Sequence, residues 1–332
     1  MKNLSMTSPV LNIAQQGENV TAYTTDNISN TDYDYDKDET QLDSLQVFSL
    51  VVHYVVFLLG TTGNGLVIFF TTFKIKRTVN IVWILNLAIA DFTFSFFLLF
   101  TIVSSTLNYH WPFGRVMCRI HSGVFHLNMY TSLFLITVMG VDRCITVVFP
   151  VWTHNHRTPR LASIVAVVVW ILAFISSLFF FMFRDIVEDD GFIYCIYHYG
   201  NNLDWESGHQ VSIILNFIIG FLIPFTIIFS CYTIILLHIR RNHLITVSKP
   251  FKVAAAIISA FFICWFPFHV ISFVQLFHNY DFFYVDIAYM CAFNLILTNS
   301  CINPVLYFFI GRDFKEICQH SIWSIFEKAF IE

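Results

Sequence analysis

Residues 111–150 read WPFGRVMCRIHSGVFHLNMYTSLFLITVMGVDRCITVVFP, and this stretch decides the fold. An aromatic turn and Cys118 stand at one end, the pair Asp142–Arg143 stands near the other, and a long apolar run lies between them. A helix over 116–149 would be about 50 Å long at ~1.5 Å per residue, which exceeds the ~30 Å hydrocarbon core of a bilayer. The stretch therefore predicts a membrane-spanning helix that joins a cysteine outside to a charge pair inside.

The composition is that of a membrane protein. Of the 332 residues, 57% are hydrophobic and only 12% are charged, whereas a soluble domain has roughly 25% charged residues. Seven apolar segments are near or above the ~20 residues that a spanning helix needs, at 46–73, 79–105, 116–148, 160–182, 210–238, 251–277 and 283–309. We therefore expect an all-α membrane fold, a seven-transmembrane helix bundle.

Two independent signals predict the same orientation. Basic residues gather in alternate connections, at 74–77, 143–160, 240–252 and 312–328. By the positive-inside rule these connections are cytoplasmic. Sequons for N-glycosylation fall in the polar N-terminal tail, at Asn3, Asn19 and Asn27, and predict that this tail is lumenal or extracellular. The expected location is the plasma membrane, with several passes and an extracellular N-terminus.

The chain divides into three predicted parts. Residues 1–45 form an extracellular glycosylated acidic tail, 46–310 the membrane domain, and 311–332 a cytoplasmic amphipathic helix with a short tail. Tyr33 and Tyr35 lie among acids, either as part of an ordinary acidic tail or as sulfation sites for a cationic ligand. The last helix has an apolar stripe, which favours a position in the membrane interface. Cys318 lies on that stripe and is either a palmitoylation site or a buried thiol.

A short motif marks each of the seven segments in order: Gly63–Val67, Leu85–Asp91, Asp142–Cys144, Trp170, Pro224 with Tyr232, Cys264–Pro267 and Asn303–Tyr307. Through these motifs the chain resembles the rhodopsin-like (class A) G-protein-coupled receptors over nearly all of residues 46–326. Within that family it resembles the chemoattractant branch of formyl-peptide, anaphylatoxin and chemerin receptors, because of Asp142–Cys144, Trp111–Gly114 and Phe183–Asp185.

The resemblance implies a disulfide and an ion site. Cys118 and Cys195, both on the oxidising side, would be bonded and would hold a loop over the pocket mouth. Asp91 near mid-membrane needs a partner, and the family's allosteric sodium ion is the implied one; otherwise Asp91 is neutral in a network of hydrogen-bonded water. The implied sodium-site residues are Asp91, Asn128, Ser132, Asn299, Ser300 and Asn303. No other cofactor is expected.

The resemblance also implies an activation machinery, made of Asp142, Arg143, Pro224, Tyr232, Phe261, Trp265, Pro267 and Tyr307. Pro267 breaks a helix hydrogen bond and gives the sixth segment a pivot beside Trp265. Related receptors often pair the arginine with an acid on this segment, but residues 240–252 contain no Asp or Glu and Val247 occupies the expected position. Asp142 would then be the nearest restraint on Arg143, and we expect a weakly restrained resting state with ligand-free signalling.

The pocket residues that the resemblance implies are Phe125, His126, Met129, Arg184, Phe268, His269, Ser272, Gln275, Tyr289 and Phe293. Phe125 replaces the aspartate of amine receptors and Leu297 the retinal lysine of opsins, so both of those ligand classes are unexpected. Arg184 would meet a ligand carboxylate, such as a peptide C-terminus, in a bidentate pair. The alternative for Arg184 is a salt bridge to Asp185, Glu188 or a lipid headgroup.

The implied function is a cell-surface receptor, not an enzyme, for a chemoattractant peptide or small protein. It would couple to an inhibitory-class heterotrimeric G protein when the sixth segment moves outward. Arrestin recruitment should be weak, because only Ser321 and Ser324 follow residue 311 as phosphoacceptors. Membrane lipid is an expected partner and nucleic acid is not. The alternatives are a scavenging or weakly coupling receptor and a lipid-mediator receptor; a transporter or an intramembrane enzyme fits poorly.

Overall fold

The computed structural model describes residues 32–189, 191–198, 205–241, 249–274, 276 and 282–310. Within these residues, seven helices are long and apolar enough to cross a membrane: Ser44–Phe73, Val79–Thr106, Gly114–Val148, Pro159–Met182, Ser207–Arg241, Ala254–Val274 and Ile287–Phe308. We call them the first to seventh spans. They confirm the seven predicted segments, whose ends differ from these bounds by a few residues.

The secondary structure of the described residues comprises nine α-helices, a π-helical turn and two strands. The first four elements are α1 Asp32–Phe73, α2 Val79–Thr106, α3 Gly114–Val148 and α4 Pro150–His156. Then follow α5 Pro159–Met182, β1 Arg184–Asp189, β2 Phe192–Tyr197, α6 Trp205–Phe217, the π-helix Ile218–Leu222 and α7 Ile223–Arg241. The last two are α8 Lys249–Val274 and α9 Phe282–Ile310.

Helix α1 begins earlier than predicted. The sequence predicted a polar tail up to residue 45 and a first apolar segment from residue 46, but α1 runs from Asp32 to Phe73. Its first residues include Asp32, Asp34 and Asp36, and negative side chains are favoured at the positive end of the helix dipole.

The connection after the fourth span contains a hairpin that the all-α prediction missed. Strands β1 and β2 pair antiparallel, with Arg184 opposite Tyr197 and Ile186 opposite Cys195. Two residues, Asp190–Gly191, separate the strands, and Asp-Gly is a strong hairpin signal because it accepts the positive φ of a type I′ turn. Gly191 has φ +81°.

The fifth span is irregular because of a proline. Pro224 has no N–H with which to bond the carbonyl of Gly220, and the π-helix Ile218–Leu222 lies immediately before it. A π-turn accommodates the missing hydrogen bond inside a continuous span. Pro267 and Pro304 also lie inside their helices, α8 and α9.

The third span is at the centre of the bundle, since α3 contacts α2, α5, α7 and α8. Leu133, Leu135 and Ile136 on α3 are fully buried. Two motif residues join neighbouring spans through polar contacts. Asn64 donates from Nδ2 to the Ser300 carbonyl at 2.9 Å, and Trp170 donates from Nε1 to Asn86 at 3.0 Å.

Several predicted features lie outside the described residues. They are the sequons at Asn3, Asn19 and Asn27, the amphipathic helix within 311–332 with Cys318, and the side chains of Tyr33, Tyr35 and Gln275.

Candidate ligand pocket, ion site and coupling end

The predicted disulfide is formed and holds the hairpin against the third span. Cys118 Sγ and Cys195 Sγ are 1.98 Å apart, with Cα atoms 5.7 Å apart. We call this side of the bundle the disulfide end. Since Cys118 lies in the second turn of α3 and Cys195 in β2, the bond places β1 and β2 across the top of the helices.

Asp185 is a second attachment between the hairpin and α3. Its carboxylate lies 2.7 Å from Arg115 Nε and 3.1 Å from Arg119 Nη2. The Arg119 Nε group also donates to the Arg184 carbonyl at 3.0 Å. Desolvation is the largest single influence on the pKa of Asp185 and raises it, but the Ile186 N–H and the two guanidiniums together outweigh it, so the pKa is lowered. The carboxylate is therefore ionised and engaged at neutral pH.

Arg184 begins β1 and keeps its charge available. Its guanidinium carbon lies 4.3 Å from the centre of the Tyr197 ring, which is its cross-strand partner. Its Nε lies 3.5 Å from Cys195 Sγ. Among the described residues Arg184 makes no ion pair with a carboxylate, and Asp185 is taken by Arg115 and Arg119. The alternative of an Arg184–Asp185 salt bridge is therefore not what the structure contains.

Predicted pocket residues from the third, sixth and seventh spans form one aromatic cluster. The Phe125 ring stacks on Phe293 at 5.7 Å and lies 6.5 Å from Trp265. Tyr289 lies 6.5 Å from Phe293 and 5.5 Å from Phe268 between ring centres. These rings form an apolar wall at the disulfide end of the bundle.

The other predicted pocket residues are more deeply enclosed. His126 is 6% exposed and stacks on Phe180 at 3.8 Å, with Nδ1 2.9 Å from the Ser122 carbonyl. His269 and Ser272 are also buried, and His269 Nε2 has no partner within the described residues. Met129 is 1% exposed and belongs to the hydrophobic core. Arg184 is close enough to His126 for an electrostatic interaction.

The sequence reasoning missed Phe180 and Tyr197 as pocket residues. Nothing in the sequence pairs Phe180 with His126, because the contact depends on how the third and fourth spans pack. Tyr197 could have been found from the sequence, because the dipeptide Asp190–Gly191 predicts a two-residue hairpin connection. That connection sets the register in which Arg184 lies opposite Tyr197.

Asp91 is the centre of a buried polar site. It is fully buried, and its two carboxylate oxygens accept from Asn128 Nδ2 at 3.1 Å and Asn303 Nδ2 at 2.8 Å. Ser300 is close enough to interact with the carboxylate. The structure therefore bonds two of the five predicted partners, Asn128 and Asn303, to the carboxylate and brings Ser300 near it.

The remaining oxygens at this site fit a small hard cation. Ser132 Oγ, Asn299 Oδ1 and Asn303 Oδ1 are buried and have no hydrogen-bond partner within the described residues. Carboxylate, amide and hydroxyl oxygens are the donors that hard cations take. Buried unpaired oxygens are costly, and a cation among them would satisfy several at once.

At the opposite side of the bundle, which we call the arginine end, Asp142 and Arg143 have different main partners. Arg157 binds Asp142 through two contacts, Nε to Oδ1 at 2.8 Å and Nη2 to Oδ2 at 2.9 Å. Arg143 Nη2 is 3.9 Å from Asp142 Oδ2 and donates instead to Asn80 Oδ1. Asp142 was expected to be the nearest restraint on Arg143; it is not the principal partner, because the bidentate Arg157 pair occupies both of its oxygens.

The other predicted activation residues lie between the two ends. Trp265, which touches the pocket wall, stacks on Phe261 with ring centres 5.5 Å apart, and Phe261 lies about two helical turns from Phe268 towards the arginine end. Phe261, Pro224 and Tyr307 are buried. Tyr232 is close enough to Arg143 for an electrostatic interaction, and the Tyr307 hydroxyl has no partner among the described residues.

Comparison with known proteins now gives the family. The model of the seven-transmembrane receptors of the rhodopsin family matches residues 63–307, and the chain belongs to that family. It is therefore a multi-pass membrane protein and a G-protein-coupled receptor rather than an enzyme.

Individual relatives fall in the expected branch. Chemerin-like receptor 1 of Homo sapiens is 41% identical over 288 residues, which cover 82% of this chain and 77% of the relative. Chemerin-like receptor 1 of Sus scrofa is 42% identical over 289 residues, covering 82% and 79%. N-formyl peptide receptor 3 of Homo sapiens is 39% identical over 303 residues, covering 87% and 86%. The predicted resemblance to chemoattractant-type receptors is confirmed.

Proposed function

We propose that this receptor lies in the plasma membrane with its N-terminus outside and binds a chemoattractant peptide or small protein. A ligand carboxylate, such as a peptide C-terminus, pairs with Arg184. Binding is transmitted to an inhibitory-class G protein at the arginine end. The names of the relatives, which refer to chemerin and to formyl peptides, support a peptide or protein ligand.

The observation that carries this proposal is the state of Arg184. It is a half-buried cation at the mouth of an aromatic pocket, and no carboxylate pairs with it among the described residues. The acid next to it, Asp185, is held by Arg115 and Arg119. A planar guanidinium braced on the Tyr197 ring presents its remaining N–H groups for a bidentate contact with a carboxylate.

The aromatic cluster provides the path from the ligand to the sixth span. A ligand side chain below Arg184 packs against Phe268 and Phe125, whose rings lie 6.2 and 6.5 Å from Trp265. Displacing Trp265 disturbs its stack on Phe261. Because Pro267 interrupts the hydrogen bonds of α8, the helix can pivot at this point. Outward movement of its other end exposes Arg143 to the G protein.

At the ion site, we propose that Asp91, Ser132 and Asn299 hold a sodium ion. The ion would neutralise the buried carboxylate and stabilise the resting state. The unpaired buried oxygens of Ser132 and Asn299 support this assignment.

The remaining proposals concern other partners. Lipid surrounds the spans, as the exposed apolar side chains of α5, such as Ile164, Val167 and Ile171, support. We also propose weak arrestin recruitment, because Ser321 and Ser324 are the only hydroxyl phosphoacceptors within residues 312–332.

The test uses a panel of basic chemoattractant peptides, each made as a C-terminal acid and as an amide, on cells expressing the full chain. Inhibition of cyclic AMP and release of calcium are the readouts. The acid is expected to be more potent than the amide on the wild type, and Arg184→Ala should remove that difference. The matched control is Arg115→Ala, which removes another guanidinium at the same end; its side chain is 60% exposed. This variant should preserve the difference in potency between acid and amide. Equal potencies of acid and amide on the wild type would overturn the role of Arg184.

A further inference from the structure

The sixth span of this receptor cannot supply a carboxylate to the arginine end. Neither the connection 240–252 nor the whole of α8, Lys249–Val274, contains an Asp or a Glu. An ion pair between Arg143 and α8 is therefore excluded by sequence.

Arg143 is nevertheless buried and held. Its side chain is 9% exposed, and a buried guanidinium requires a compensating acceptor. The acceptor is Asn80 Oδ1, on the second residue of α2. The Asp142 carboxylate is 3.9 Å away and is occupied by Arg157.

Arg157 fixes the position of that acceptor. Its Nη2 donates to the same Asn80 oxygen at 2.6 Å while its guanidinium binds Asp142. Since guanidinium groups only donate, an amide that meets two of them must present its oxygen, which determines the orientation of the Asn80 side chain. Asp142, Arg157, Asn80 and Arg143 thus form one chain of contacts that joins α2, α3 and the residue after α4.

We propose that Asn80 is the resting-state restraint on Arg143, in place of the helix-six carboxylate that the sequence lacks. This inference rests on the proposed coupling of the receptor to a G protein at Arg143. The restraint is a neutral amide between two cations, so it is weaker than an ion pair, and breaking it leaves α8 free to move outward. Asn80 is a positioning residue: it holds Arg143 against α2, away from the cleft between α3 and α8.

The first experiment measures ligand-free nucleotide exchange on purified inhibitory-class heterotrimer by the full-length receptor in lipid nanodiscs. Asn80→Leu removes the acceptor at similar size and should raise exchange about three- to tenfold, because a hydrogen bond to a charged group shifts an equilibrium by at least this factor. Asn80→Asp keeps an oxygen and adds the missing charge, so exchange should fall to or below the wild-type rate.

The matched control is Asn86→Leu on the same helix, which breaks the bond from Trp170 and leaves Arg143 untouched. It should alter thermal stability without raising ligand-free exchange. An Asn80→Leu rate equal to that of the wild type, or an Asn80→Asp rate as high as that of Asn80→Leu, would overturn the inference. If Asn80 had only a structural role, Asn80→Leu and Asn80→Asp would both lower thermal stability. The two variants would then not differ from each other in thermal stability or in ligand-free exchange.

A second measurement needs no G protein, so it separates failure of this inference from failure of the proposed function. Spin labels at Ile75, in the connection between α1 and α2, and at Lys252 on α8 report the distance between these two segments at the arginine end in the ligand-free receptor. Asn80→Leu should shift the distance distribution towards longer values, and Asn80→Asp should not. Identical distributions in all three proteins would refute the restraint, even if the wild type activates G protein when a peptide binds.

Discussion

The first two spans pack closely against each other at Gly60. A Cβ built on this residue would lie 2.2 Å from Ser95 Oγ and 2.8 Å from Ser95 Cβ, both below the 3.0 Å that real Cβ atoms respect. Gly60→Ala must therefore push α1 and α2 apart by about 1 Å, and overpacking of this kind costs about 1–3 kcal/mol. At about 2–4 °C per kcal/mol for a domain of this size, the melting temperature should fall by roughly 2–12 °C.

The assay is thermal unfolding of the purified receptor in one detergent, followed by a thiol-reactive dye or by light scattering. Ser95 allows a graded rescue. Adding Ser95→Ala to Gly60→Ala removes the 2.2 Å contact but leaves the 2.8 Å contact, so rescue should be partial. Adding Ser95→Gly removes both contacts and should restore most of the loss. Ser95→Ala alone should be close to neutral, because the hydroxyl has no partner among the described residues.

The matched control for this series is Gly65→Ala, one and a half turns along the same helix. Its Cβ would meet Phe92 at 3.4 Å, an ordinary contact, so the melting temperature should stay within about a degree or two of the wild type. If Gly60→Ala and Gly65→Ala behave alike, or if Ser95→Gly rescues nothing, the packing of α1 on α2 described above is wrong.

Three further predictions concern polar contacts. Trp170→Phe removes the 3.0 Å bond to Asn86 and should cost about 0.6–2 kcal/mol in the same unfolding assay; no change would show that this bond contributes nothing. The pKa of Asp185 is lowered in the folded state, so its contribution to stability is complete above its unfolded pKa of about 3.9 and is lost as pH falls through the folded pKa. Asp185→Asn should therefore lose the part of the acid-induced destabilisation that occurs below about pH 4, and unchanged acid sensitivity would count against the anchor. Sodium, but not potassium, should raise the melting temperature of the wild type and not of Asp91→Asn; an equal effect of the two salts would exclude the ion site.

The spans could be predicted from sequence because each depends on a property that a single segment carries. Twenty or more apolar residues must form a helix in a bilayer, since no other local structure satisfies the backbone there. A polar group inside the membrane needs a partner, so polar motif residues are expected to bond between helices. The structure shows such contacts for Asn64, Asp91 and Trp170.

Other features depended on packing between distant segments and could not be predicted. The stack of His126 on Phe180 and the contact of Arg143 with Asn80 join residues 54 and 63 positions apart, with no local signal for either pair. The expectation that Asp142 is the nearest restraint on Arg143 failed for a related reason. Arg143, Arg157 and Arg160 all follow Asp142 in the sequence, and their order alone does not show that Arg157 takes both carboxylate oxygens.

The hairpin is different, because its signal was present. Asp190–Gly191 between two runs rich in β-branched and aromatic residues predicts a two-residue turn, and that turn fixes the register of Arg184 opposite Tyr197. The two runs, RDIVED and FIYCIY, are each only six residues long, and neither alternates between apolar and polar residues, so the turn is the main local signal. The early start of α1 was missed because a composition typical of disorder also contains acids that favour a helix N-terminus.

The central claim is that a carboxylate bound at Arg184 is transmitted to Arg143 and a G protein. The most direct measurement is nucleotide exchange on purified inhibitory-class heterotrimer, with the receptor in nanodiscs and an acid-terminated basic peptide from the panel that binds it. Exchange should rise with peptide on the wild type and should be at least about tenfold weaker on Arg143→Ala, although that variant still binds the peptide. Peptide binding to the wild type without exchange on any class of G protein would contradict the account and would identify a scavenging receptor.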